Sequence, residues 1–230
     1  MINYSNNFFY WIRKVSRIVG ITKFLHPLIY GKGYETKVGP ALNSAIKTGD
    51  TCWDIGANLG LYTKALSELV GKNGFVRAFE PHPKTFNNLK KIIKNVNTEI
   101  HNIGFGDSKE KVRFSDLEDH TINSIVDTSY TGTYLEVEIT TIDKVIVEKN
   151  WEAPNIIKID VEGFELDIMK GMSSTLYNKN LRFILIEIHH KIMENRKIKN
   201  GAHQIQKLLE NAGFDISWID PSHLIAKRKT

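Results

Sequence analysis

The 230 residues, 41% hydrophobic and 25% charged, suffice for one large buried core and exclude a disordered chain. The single cysteine, Cys52, excludes an internal disulfide and a thiolate metal cluster, and it fits a reducing compartment. The net charge of +5 sits at the front: residues 1–48 hold seven basic residues against one acid, Glu35, so residues 49–230 sum to −1. That balance argues against a nucleic-acid partner for the body of the chain.

Residues 1–48 read as an N-terminal helical cap or extension. Phe8, Trp11, Ile12, Val15 and Val19 recur at helical spacing, with Arg13, Lys14 and Arg17 on other faces. A cap that buries Phe8, Trp11 and Val15 is expected; the rival is a peripheral membrane contact through residues 1–24, a role that suits basic apolar helices. Charges at Arg13, Lys14, Arg17 and Lys23 interrupt the apolar run. Neither a signal peptide nor a membrane span is therefore expected, and the chain reads as cytoplasmic. His26–Pro40, with three glycines and two prolines, reads as loop and turns.

From residue 49 to 230 strands and helices alternate. Strands are expected at Thr51–Ile55, Phe75–Phe79, Glu99–Ile103, Ile156–Ile159 and Arg182–Ile188, and helices at Leu59–Val70, from Pro83 to about Asn95, at Phe164–Leu176 and at Ala202–Ala212. Lys111–Phe114 and Tyr134–Ile139 alternate apolar and polar residues, as an antiparallel excursion would. The chain closes with Phe214–Ile219, a turn at Asp220-Pro221-Ser222, and Leu224–Ala226. This order predicts an α/β, Rossmann-like domain with a mostly parallel sheet and a C-terminal antiparallel hairpin. Ligands of such sheets bind beyond the C-terminal ends of the strands.

The first strand ends in Asp54-Ile-Gly56-Ala57-Asn58-Leu59-Gly60 and runs straight into a helix. Gly56 permits the tight turn and Gly60 the close approach of helix to strand. The second strand ends at Glu80, twenty residues beyond Gly60, where a carboxylate can accept both hydroxyls of an adenosine ribose. A dinucleotide loop needs a second glycine two residues after the first, so that backbone can meet the pyrophosphate. Asn58 stands there, and Asp54 adds negative charge nearby. Both suit a cofactor with a sulfonium and no phosphates, S-adenosylmethionine, rather than NAD.

Four runs carry a resemblance: Trp53–Thr63 (WDIGANLGLYT), Phe79–Pro83 (FEPHP), Asn102–Asp107 (NIGFGD) and Ile157–Glu165 (IKIDVEGFE). Together they resemble the FkbM-type methyltransferases over roughly residues 49–190. The resemblance implies a class I methyltransferase fold and S-adenosylmethionine as methyl donor, with S-adenosylhomocysteine as product. It also implies O-methylation of a small-molecule, sugar or glycan acceptor. Carried over by position, Asp54, Gly56, Asn58 and Gly60 hold the methionine end, with Ala57 and Thr63 in the same loop. Glu80, beside Pro81, takes the ribose, and Asp107 lies near the adenine. Gly104 and Gly106 stand where similar proteins often carry Ala or Ser.

Asp160, Glu162, Glu187 and His189 follow the fourth and fifth strands and are the candidate catalytic residues. A neutral alcohol is a poor nucleophile, and a base within hydrogen-bond reach speeds its reaction by roughly 10²–10⁴-fold. His189 is the first candidate base, with a titration expected near an ordinary histidine's, about 6.5; Asp160 and Glu162 orient it or replace it. Glu165 reads either with this group or as a first-turn acid of the next helix. Asp160, Glu187 and His189 form an oxygen-rich set that can hold magnesium, as in methyltransferases that activate hydroxyls that way, but no metal is predicted. Cys52, Trp53, Trp151 and Trp218 read as packing residues, and His82 as a histidine on the cofactor side. Two other functions fit the architecture less well. Asn58 disfavours an NAD-type dehydrogenase, and the intact loop and acidic run disfavour a non-catalytic membrane-surface adapter.

Overall fold

A computed structural model describes residues 31–116, 125–126 and 130–229, with side chains from Lys37 onward. By its contacts the chain divides into two compact units, Met1–Ala41 and Leu42–Thr230. The expected burial of Phe8, Trp11 and Val15 and the membrane contact through residues 1–24 lie outside the described residues. Among those described, no helix is long and apolar enough to cross a membrane.

The elements run α1 (Gly31–Ala45), β1 (Thr51–Ile55), α2 (Leu61–Val70), β2 (Phe75–Phe79), α3 (Pro83–Ile92), β3 (Thr98–His101), β4 (Gly104–Phe105), β5 (Glu110–Ser115), β6 (Ile125–Val126) and β7 (Tyr134–Thr140). They continue with α4 (Ile142–Lys149), β8 (Ile156–Ile159), α5 (Glu165–Gly171), α6 (Ser173–Leu176), β9 (Phe183–Glu187), α7 (His190–Asn195), α8 (Gly201–Asn211), β10 (Phe214–Trp218) and β11 (His223–Arg228). Seven strands form the main sheet in the order β10-β11-β9-β8-β1-β2-β3. All neighbours from β9 to β3 are parallel, whereas β11 is antiparallel to both β9 and β10, so the closing hairpin wedges its last strand into the sheet. The antiparallel excursion is a second, four-stranded sheet, in which β5 and β7 pair from Glu110↔Ile139 to Ser115↔Tyr134. Gly104 and Gly106 serve this small sheet: a Cβ on either would fall within 2.8 Å of Ile139.

Two expectations need correction. Residues 31–40 of the stretch read as loop lie in the helix α1, with Pro40 inside it. Val38 and Leu42, one turn apart, are both buried, and that pair outweighs the poor helix propensity of glycine and proline. The helix expected over Phe164–Leu176 breaks at Met172 into α5 and α6. Asp143 on α4 supplies the reason, since its carboxylate accepts from Ser174 N (2.7 Å), Thr175 N (2.8 Å) and Thr175 Oγ1 (2.6 Å). The two amides are orphan donors of a helix start, so a new helix begins there.

Strand alternation sorts the sheet into an oily face and a mixed one. Trp53, Ile55, Ile157, Ile159, Ile184 and Ile186 share a core with Leu166 and Ile168 of α5 and with Ile205 and Leu209 of α8. Residues of opposite parity face the other way, and register aligns Asp54 with Lys158 and Lys158 with Leu185. A charged pair thus lies across the centre of the sheet on its second face. Cys52 sits buried in β1, where burial pushes its thiol pKa up.

The turn after β1 leaves no room. Gly56 has φ +79°, and its amide donates to Phe79 O (3.0 Å). A Cβ there would lie 1.8 Å from Asp160 O, inside the loop after β8. Gly56→Ala is therefore expected to destabilise the fold by at least about 2 kcal/mol, from left-handed strain plus overlap with backbone. Urea unfolding of the variant, with the same midpoint as wild type, would contradict this packing.

Candidate functional site

At the end of β1, Asp54 is wholly buried. Its Oδ2 accepts from Thr63 Oγ1 on α2 (2.6 Å), and its Oδ1 lies 3.2 Å from Lys158 Nζ. Thr63 is buried as well, so it serves the site by holding Asp54. Ala57 N donates to Phe79 O (3.0 Å), which pins the glycine loop to β2. Asn58 turns through a left-handed backbone, φ 50°, and donates its amide to Glu80 Oε2 (3.0 Å). Gly60 has φ 83° and opens α2; a Cβ on it would meet Leu89 and Ile93 within 3 Å.

Glu80 is almost completely buried just after β2, and its Oε1 accepts from His82 N (2.9 Å). Burial pushes its pKa up to about 7, and the His82 and Asn58 amides work against that rise. His82 is buried beside it and caps α3, its side chain accepting from Thr85 N. Asn102 Nδ2 donates to the carbonyls of Glu80 and Pro81 (2.8 Å each), fixing the strand end. Asp107 lies exposed in the turn between β4 and β5, accepting from Ser108 Oγ (3.2 Å).

Lys158, on β8, joins the glycine loop after β1 to the acidic loop beyond β8. Its ammonium lies 3.2 Å from Asp54 Oδ1 and 3.4 Å from Asp160 Oδ2, donates to Gly56 O (3.3 Å), and sits 5.0 Å from the centre of the Tyr62 ring. Burial opposes the charge of this lysine, yet Asp54 and Asp160 outweigh it and raise its pKa. Asp160 is half-buried; burial raises its carboxyl pKa and Lys158 works against the rise. Its amide donates to Ile55 O (3.0 Å), extending the β1–β8 pairing by one residue.

His189 lies at the N-cap position of α7. Its Nδ1 is 2.7 Å from Glu165 Oε1, and its Nε2 is 3.4 Å from Glu162 Oε2 and 3.7 Å from Asp160 Oδ1. Burial opposes its charge, but the hydrogen bond to Glu165 and the fields of Glu162, Glu165 and Asp160 push its pKa up to about 10. The titration thus moves upward from the 6.5 expected of an ordinary histidine, because the three carboxylates favour the imidazolium over the neutral ring.

Glu187 stands beside this group without meeting His189: its field raises the Asp160 carboxyl pKa, and it lines a pocket with Tyr62, Lys158 and His223. It pairs with His223 Nε2 (3.6 Å) of β11, whose Nδ1 meets Asp220 Oδ2 (3.0 Å). The set that can bring ligand atoms within 4.8 Å of one another is therefore Asp160, Glu162 and His189, with Glu162 in the place expected of Glu187. The reason is register: Glu187 pairs directly across from His223 in the β9–β11 ladder. His190 turns to Pro221 O (3.0 Å) and stacks on Trp218, which is 39% exposed rather than packed inside. Lys158 and His223 are residues of this cluster to which the sequence reading gave no role. Lysine in an otherwise apolar buried strand was the one available signal.

The strand order, the reversed β11 and the glycine loop facing an acid across the ends of β1 and β2 define a Rossmann-like fold of the S-adenosylmethionine-dependent methyltransferase class. Residues 54–216 match the family model described as the methyltransferase FkbM domain, and the chain belongs to that family. Over 142 residues it is 32% identical to the hexuronic acid methyltransferase AglP of Haloferax volcanii, covering 61% of this chain and 56% of that protein. The crystal structure of methyltransferase FkbM from Methylobacillus flagellatus KT is similar, with a TM-score of 0.53 at 17% identity, over 78% of this chain and 43% of that one. A precorrin-6y C5,15-methyltransferase from Geobacter metallireducens GS-15 gives a TM-score of 0.50 at 12% identity, over 84% of this chain and 88% of that one. The matched region thus takes in about half the length of the first two of these proteins.

Removing the buried ammonium leaves Asp54 charged and enclosed. Lys158→Met is expected to cost about 3–5 kcal/mol of stability, the usual loss when one partner of a buried ion pair is deleted. Chemical denaturation followed by circular dichroism measures it, and a variant as stable as wild type would show that the pair carries no such weight.

Proposed function

We propose that the chain transfers a methyl group from S-adenosylmethionine to a hydroxyl oxygen of a small-molecule or carbohydrate acceptor. The observation that carries this reading is the Lys158 bridge, which joins the cofactor-side loop (Asp54, Gly56) to the acidic loop after β8 (Asp160). The donor set fits the cofactor. Carboxylates at Asp54 and Glu80 suit a cation, and Asn58 occupies the place where a pyrophosphate would need glycine. The hexuronic acid methyltransferase relative supports a carbohydrate acceptor.

In this reading Glu80 accepts the ribose hydroxyls and the Gly56–Gly60 loop carries the methionine end, held from below by Asp54 and Thr63. Asp107 lies on the adenine side. S-adenosylmethionine supplies the electrophilic methyl group when bound. Asp160 takes the hydroxyl proton as the acceptor oxygen gains its new bond to carbon, because His189 is already protonated. Glu162 and Glu187 accept hydrogen bonds from the acceptor's other hydroxyls. Alignment contributes as much as proton removal, since in-line transfer depends on orientation. We invoke no magnesium in this step.

Isothermal calorimetry with S-adenosylhomocysteine tests the cofactor, and the absence of binding would overturn the proposal. Replacing Glu80 with Ala should weaken that binding by about 1–3 kcal/mol. The sign of the pH effect follows from its raised pKa. Below about 7 the free carboxyl is protonated and must lose its proton to accept two hydroxyls, so affinity falls as pH drops. From pH 8 to pH 6 the loss should approach about tenfold, and it should vanish in Glu80→Gln.

Turnover with neutral and uronic glycosides, read by mass spectrometry, should place the methyl group on a hydroxyl oxygen and persist in EDTA. Asp160→Asn should lower kcat by roughly 10²-fold while leaving cofactor affinity within about twofold. A methyl group found on nitrogen, or wild-type kcat in that variant, would refute the assignment.

A further inference from the structure

The loop after β8 bends in an unusual way. Glu162 takes a left-handed backbone, φ 51°, and Gly163 follows at φ 96°. A non-glycine residue in that region costs of order 1 kcal/mol, and such residues cluster where structure holds a site in place. A Cβ on Gly163 would fall 2.5 Å from Ile192 Cγ2, so α7 can close on the loop only because that residue is glycine. Arg196, at the far end of α7, clamps the same point: its Nη1 donates to Gly163 O and to Asp167 Oδ2 (2.7 Å), and its guanidinium lies 3.6 Å from the centre of the Phe164 ring.

One side chain connects loop and helix from inside. Glu165 is completely buried, and its Oε1 accepts from Gly163 N (2.9 Å) and faces His189 Nδ1 at 2.7 Å. Its Oε2 is buried with no hydrogen-bond partner among the described residues. A first-turn acid kept only for the helix dipole would sit at the surface, where water solvates both oxygens. Glu165 instead gives up that solvation to hold one loop amide and one imidazole.

We propose that Glu165 is a positioning residue for the transfer: by fixing the Nδ1–H of His189 and the left-handed turn at Glu162–Gly163, it aims the His189 Nε2–H at Glu162 and Asp160 and holds those carboxylates toward the acceptor. The inference rests on the proposed methyl transfer for its consequence, but its geometry stands without it. The charged groups around the ring are Glu165 from α5, and Asp160 and Glu162 from the loop, with Lys158 behind Asp160 and Arg196 at the end of α7.

Nitrogen-15 NMR of the imidazole rings in the full chain tests it. In the wild type the His189 ring should carry protons on both nitrogens through neutral pH and titrate near 10. In Glu165→Gln its titration should move down by at least one pH unit, while S-adenosylhomocysteine affinity stays within about twofold. With any glycoside that the wild type methylates, the same variant should lose about ten- to a hundredfold in kcat with little change in cofactor KM, as a misplaced group does. A wild-type ring that titrates near an ordinary histidine, or lacks the Nδ1 proton, overturns the proposal, and that spectrum decides even if Glu165→Gln fails to fold. An unshifted titration in the variant overturns it equally. A chain that binds no S-adenosylhomocysteine would defeat the methyltransferase reading and leave the ring spectrum standing.

Discussion

A lysine ammonium enclosed between two carboxylates governs this structure. Lys158 is 4% exposed and sits in the centre of the sheet, in a strand whose other residues are all isoleucine. An isolated charge there would lose most of its hydration, which a protein tolerates only when opposite charges take the place of water. Asp54 does so from the neighbouring strand β1 and Asp160 from the end of the lysine's own strand, and the carbonyl of Gly56 takes a further ammonium proton. Two loops distant in sequence are thereby held at a fixed separation. If one moves, the charge is exposed or unpaired.

The remaining polar groups follow from the same economy of space. The buried carboxylates each meet specific partners: Thr63 and Lys158 for Asp54, two backbone amides for Glu80, an amide and an imidazole for one oxygen of Glu165, and a second imidazole for Glu187. The two histidines sit in like settings, each between a carboxylate on Nδ1 and another facing Nε2.

Much of this was legible in the sequence, and for local reasons. Parallel strands buried on both faces spell themselves as short apolar runs, so β1, β2, β8 and β9 stand out. Gly56 and Gly60 mark a turn that other residues cannot make, and Glu80 follows at the right interval. What was not legible depends on pairing between distant residues. The bond from Lys158 to Gly56 spans 102 positions, and the one from His189 to Glu165 spans 24. Glu187 and His189 look like members of one group when read along the strand, but cross-strand register gives the first to His223. The helix α1 was hidden for a different reason. Its glycines and Pro40 oppose helix locally, while the burial of Val38 and Leu42 that favours it is invisible until the chain is folded.

The place of Cys52 carries a last consequence. The chain's one thiol lies at zero exposure in β1, between β2 and β8, and its proton is held more tightly than in water. Thiolate chemistry, which disulfide exchange, alkylation and peroxide oxidation all require, is closed to it while the sheet is intact. The sulfur becomes a nucleophile only when the central strand is uncovered. Its labelling rate is thus a built-in gauge of how often the middle of the sheet opens, and it needs no engineered probe and has no second cysteine to confuse the count.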